Sequence, residues 1–103
     1  MTALERAFTE ALLARMDEAE AAGVPQKRLR AEVERYGGAA CARRLLARGQ
    51  VSEGFDALAA AGKLELSLEA LAAAGQFGEL FTDAEINGCF AALCDAGFYT
   101  WGR

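Results

Sequence analysis

The sequence contains no histidine. The side chain that most readily moves protons near neutral pH is therefore missing, along with the commonest metal ligand. Nucleophile–base pairs of the Cys–His or Ser–His kind are excluded with it. β-Branched residues are scarce: three valines, one isoleucine and four threonines among 103 residues, too few for a chain built on sheet. Long apolar runs are missing too, and nothing approaches the ~20 uncharged apolar residues of a membrane span. Glu5, Arg6 and Glu10 interrupt any candidate leader near the N-terminus, so no signal peptide is expected. The three cysteines, Cys41, Cys89 and Cys94, follow no metal-binding spacing. Cys89 and Cys94 stand about 140° apart around a helix and cannot converge on one ion. Buried free thiols in a reducing cytoplasm are the simplest expectation.

What the chain has instead is alanine, 24 residues, and leucine, 13 residues, both strong helix formers. Twenty-eight apolar side chains are larger than alanine and cysteine, enough for one modest core and one domain. The spacing predicts an all-α fold: a compact orthogonal bundle of about six helices of unequal length, joined by short turns. A first helix runs from Thr2 or Ala3 to Ala22 and buries Leu4, Phe8, Ala11, Leu12 and Ala19, with Met16 at the edge of the stripe and Arg15 pointing into it. Pro25 fits the first turn of a second helix ending at Tyr36, with Leu29, Val33 and Tyr36 inward. Gly37–Gly38 breaks the chain. A third helix, Ala39 to Arg48, turns Cys41, Ala42, Leu45 and Leu46 inward. Ser52 reads as the N-cap of a fourth helix carrying Phe55, Leu58 and Ala59.

Residues 64–68 alternate as a strand would, but no partner strand exists, so an extended connector is expected. Ser67 caps a fifth helix over Leu68 to Ala74, with Glu69 placed for the helix dipole. A bend at Gly75–Phe81 buries Phe77, Leu80 and Phe81. Thr82 and Glu85 form a capping box for the last helix, whose inner arc is Ile86, Cys89, Phe90, Leu93 and Cys94. The expected core is Leu45, Phe55, Leu58, Leu66, Leu71, Phe81, Phe90 and Leu93.

Fifteen acidic residues against eleven basic leave a net charge of −4. The distribution is uneven. Residues 27–48 hold seven basic side chains and two glutamates, a local +5, so the other 81 residues carry −9. Arg28, Arg35, Arg43, Arg44 and Arg48 are the candidate contacts for nucleic acid or another polyanion. The plainer reading is a solvated face, and the acidic total favours it. A second candidate surface joins Leu13, on another face of the first helix, to the aromatic tail Phe98, Tyr99 and Trp101. Those rings either fold back on the core or form a homodimer interface. No catalytic residue, cofactor-binding motif or metal site is expected: paired carboxylates are too many to be specific, and no phosphate-binding glycine loop is present.

Residues 37–99 carry an ordered set of motifs: Gly37-Gly38-Ala39-Ala40 with Arg43-Arg44-Leu45-Leu46, Ser52-Glu53-Gly54-Phe55 through Leu58, Gly62-Lys63-Leu64-Glu65-Leu66-Ser67 through Leu71, Leu80-Phe81-Thr82 through Ile86, and Gly97-Phe98-Tyr99. This order resembles a family of small, mostly helical bacterial proteins. It departs from that family at Ala59, where an aromatic is common, and at Glu65, where aspartate is more usual. The resemblance implies a helical fold but no activity or functional residue. The expectation is a cytoplasmic protein-interaction domain that is not an enzyme and does not enter a membrane, with polyanion binding through residues 27–48 as the alternative.

Overall fold

A helix start leaves backbone N–H groups without partners, and the way each start is satisfied organises this molecule. A computed structural model describes residues 2–98. Helix α1 spans Ala3–Ala21. Thr2 Oγ1 accepts from the Glu5 N–H at 3.0 Å, while the Glu5 carboxylate accepts from the Thr2 N–H at 2.9 Å. Its buried stripe is Phe8, Leu12, Met16 and Ala19, so Met16 is central rather than marginal. Arg15 is half-buried and donates to the Glu65 carbonyl.

Helix α2 spans Lys27–Tyr36. Pro25 lies one residue before the N-cap, Gln26, and not in the first turn. The cap side chain makes no bond to its own helix. The Glu53 carboxylate instead accepts from the Leu29 N–H at 2.8 Å, and the Gln26 amide donates to the Glu53 carbonyl at 2.9 Å. Helix α3, Gly38–Ala47, starts against α1. The Gly38 N–H donates to Thr9 Oγ1 at 2.9 Å, and a Cβ at Gly38 would lie 3.1 Å from Thr9 Cα. The double glycine therefore marks a close approach of two backbones.

Helix α4, Phe55–Ala61, follows Gly54 in the left-handed region at φ +80°. Ser52 is not its cap, contrary to expectation: the Ser52 N–H and Oγ both donate to the buried carboxylate of Glu69, each at 2.7 Å. Residues 64–68 are not extended either. Leu64–Leu66 form a 3₁₀ turn, in which Leu64 is buried and Leu66 half-buried. Ser67 does cap α5, Leu68–Ala72, accepting from the Ala70 N–H at 3.1 Å. A second 3₁₀ turn, Gly78–Leu80, lies within the bend before α6. Helix α6, Asp83–Asp95, opens with the Thr82–Glu85 capping box.

The described residues contain six α-helices and no strand, an all-α bundle. In the larger core cluster Phe8 meets Phe77 and Phe81 edge-on, with centroids 5.2 and 5.3 Å apart. The smaller cluster gathers Ala19, Val24, Phe55, Leu58, Leu64 and Leu93. Several side chains assigned to the interior lie further out, among them Leu4, Ala11, Leu46, Ala59, Ile86 and Cys94, all half-buried. Tyr36 and Phe90 are exposed, and Leu45 and Leu66 are half-buried. Tyr36 ends α2 beside the glycine break. Phe90 stands 100° around α6 from Cys89, and α6 buries only the narrow line of Cys89 and Leu93.

Candidate interaction surface

The five arginines singled out above do not share one face. Arg43 turns toward α1 and the bend: its Nε donates to the Leu80 carbonyl at 2.9 Å and its Nη1 pairs with Glu5 at 3.3 Å. The Thr2 amide, and after it the Arg43 guanidinium, hold the Glu5 carboxyl below its ordinary range. Arg43 thus staples two segments, which removes it from the candidate set as a free cation. Arg30 is likewise committed, to Asp17 at 2.6 Å and Glu20 at 2.7 Å, and both carboxylates raise its pKa.

Arg28, Arg44 and Arg48 converge. They rim a cleft of about 340 Å³ between α2 and α3, floored by Leu29 and Leu45, with the exposed Val51 at its edge. Arg35 lies just outside it. The guanidinium carbons of Arg35 and Arg44 stand 5.2 and 4.8 Å from the centroid of the Tyr36 ring. These two cation–π contacts order two long side chains. Among the described residues, none of Arg28, Arg35, Arg44 and Arg48 forms an ion pair. Glu32 and Glu53 also line the cleft, but Glu53 is occupied by the Leu29 N–H.

A second groove, of about 500 Å³, lies on the other side of Gln50 and Val51. Its apolar walls include Leu46, Phe55 and Ala92, and its charged members are Asp56, Asp95 and Glu69, with no basic residue among them. Glu69 is 1% exposed. Burial pushes its pKa up, opposed by the two Ser52 bonds. The sequence offers Glu69 only its helix-dipole role; its pairing with Ser52 is hidden because the partner lies 17 residues away and no local pattern marks the pair. Ser52 Oγ against Glu69 is chemically a hydroxyl–carboxylate pair. With Ser52 only 4% exposed and both carboxylate oxygens occupied, it acts as a clamp.

The cysteines are all free; Cys41 and Cys89 are buried and Cys94 is half-buried. Burial raises the Cys41 thiol, and it pushes Cys89 up to about 12, so at neutral pH neither offers the thiolate that thiol chemistry requires. Among the described residues no group of three or more Cys, Asp or Glu side chains is placed to hold a metal ion, and no helix is long and apolar enough to cross a membrane.

Of the second candidate surface, Leu13 is half-buried against the larger core cluster. Phe98 is 36% exposed, and its N–H donates to the Leu93 carbonyl at 2.9 Å. Tyr99 and Trp101 lie outside the described residues. No family model, curated protein or solved structure matches the chain.

Proposed function

We propose that this chain is a non-catalytic, cytoplasmic protein-interaction domain whose recognition surface is the cleft between α2 and α3. The observation that carries the reading is the division of the arginines. Arg30 and Arg43 are spent on carboxylates of the chain itself, whereas Arg28, Arg44 and Arg48 line a cleft and form no ion pair among the described residues. A guanidinium recognises carboxylate in a planar, two-bonded geometry. The apolar lining of Leu29, Leu45 and Val51 suits a partner segment that alternates acidic and aliphatic side chains. The free thiols accord with a reducing compartment.

Nucleic acid is the weaker reading. Loss of Arg43 shortens the basic stripe, Glu32 stands within it, and the whole chain is acidic. An acidic–aliphatic peptide and a duplex oligonucleotide, titrated separately, distinguish the two. The expected outcome is peptide binding that Arg44→Ala with Arg48→Ala weakens by about tenfold or more, as for other rim-to-pocket arginines, while Arg43→Ala leaves it unchanged in a folded protein. Oligonucleotide binding with a steep salt slope that the same pair flattens by about two would instead favour the polyanion reading.

A further inference from the structure

The two grooves flank a common ridge. Gln50 and Val51 line both of them, and Val51 is one of the few large apolar side chains on the surface, 43% exposed. On one side of the ridge stand Arg28, Arg44 and Arg48, with Glu32 and the Leu29-bound Glu53 among them; on the other stand Asp56 and Asp95, with no basic residue lining that groove. Each side has an apolar floor. In an isologous dimer whose two-fold axis runs along such a ridge, whatever lies to one side of the axis on one copy faces what lies to the opposite side on its partner. Basic then meets acidic twice, and the two exposed valines meet on the axis.

We infer that this face is a self-association surface, in which the arginine cleft of one copy docks the acidic groove of a second copy across the Gln50–Val51 ridge. The inference rests on the reading of the arginine cleft as a docking surface and names its partner. A second copy supplies carboxylates to arginines that form no ion pair among the described residues, and apolar cover for Val51. Charge complementarity steers the encounter and fixes its register. It also makes the contact sensitive to salt, because the rim charges stay near water.

Sedimentation of the full chain at low and high salt tests this. The wild type should dimerise at low salt and shift toward monomer as salt rises. Arg44→Glu with Arg48→Glu should be monomeric, and so should Asp56→Lys with Asp95→Lys. An equimolar mixture of these two variants should restore a dimer, because both pairings are then again of opposite sign. Helicity by circular dichroism confirms that each variant folds. A route independent of charge reversal is Val51→Cys, which should form covalent dimers on mild oxidation where the exposed Asp83→Cys does not. A wild type that stays monomeric at low salt, or a mixture that does not reassociate, overturns the inference, as does Val51→Cys linking no faster than Asp83→Cys. A monomer that still binds an acidic peptide through Arg44 and Arg48 would overturn self-association alone and leave the cleft reading standing.

Discussion

Helices α1 and α6 start in the same way, and the three helices after α1 start differently. Thr2 with Glu5 and Thr82 with Glu85 each satisfy a helix end from within four residues of chain. Helices α2, α3 and α4 have no side-chain cap of their own. The start of α2 is held by Glu53 and that of α3 by Thr9. The start of α4 follows a left-handed glycine wedged against Val24 and Gln26. A local cap stabilises one helix. A cap reached across 24 or 29 residues also fixes where that helix sits, so its loss should cost packing as well as a hydrogen bond.

The largest effect expected is at Gly54. A Cβ there would lie 2.4 Å from Gln26 Nε2 and 2.7 Å from Val24 Cγ1, on a backbone at φ +80°. Gly54→Ala should cost about 2–5 kcal/mol, from left-handed strain and overpacking together. Gly49→Ala, at φ +65° with nothing within 4 Å, should cost only the strain, about 1–2 kcal/mol. Equal losses in urea unfolding would mean that the wedge does not matter.

Next comes the Ser52–Glu69 clamp. Glu69→Ala leaves a buried N–H and hydroxyl without acceptors and should cost about 2–4 kcal/mol. Glu69→Gln sharpens the test through pH. Burial raises the folded pKa of Glu69 above its unfolded value, so protonation favours the folded state. That contribution is complete below the unfolded pKa and is lost as pH rises through the raised one. The stability of the wild type relative to Glu69→Gln should therefore be greatest in acid and decline toward neutrality. Urea midpoints measured along a pH series would show it, and a difference independent of pH would refute it.

Smaller again is Thr9→Val, which keeps shape but removes the acceptor for the Gly38 N–H; about 1–2 kcal/mol is expected. Thr82→Ala, at an exposed local cap, should lie lower, at about 0.5–1 kcal/mol within the usual range for caps. If thermal unfolding shows Thr82→Ala to be costlier than Thr9→Val, the distinction between local and remote starts fails.

The same distinction explains what could be read from the sequence. The starts of α5 and α6 are legible because Ser67 and Thr82 act on amides three residues on; that of α1 is bracketed at Thr2 or Ala3 without its Thr2–Glu5 box being read. The apolar stripes of α1 and α6 were legible where spacing alone decides burial, as at Phe8, Leu12, Cys89 and Leu93. Ser52 is misread as a helix cap, whereas Glu69 does stand in the first turn of α5 but has a second role; nothing nearby reveals that the two bond to one another. Arg43 follows the same logic. It neighbours Arg44 in sequence but lies 100° away on the helix, and only the position of Glu5, 38 residues away, decides which of the two stays free. The alternation of Leu64, Leu66 and Leu68 suited an extended segment, yet a 3₁₀ turn of three residues also turns Leu64 and Leu68 into the core.

Long-range capping also has a consequence for the order in which the chain folds. A ten-residue helix is too short to persist alone in water, and α2 and α3 each have ten residues with no local cap to nucleate them. The 19-residue α1 and the boxed α6 can form transient turns before any collapse. Closure of the loop from Glu53 back to Leu29, and of that from Gly38 back to Thr9, must come before the middle helices are held. Destabilising changes at Thr9 or Glu53 should therefore slow folding as well as lower stability. Changes at Thr82 should act mainly through the rate at which the last helix frays.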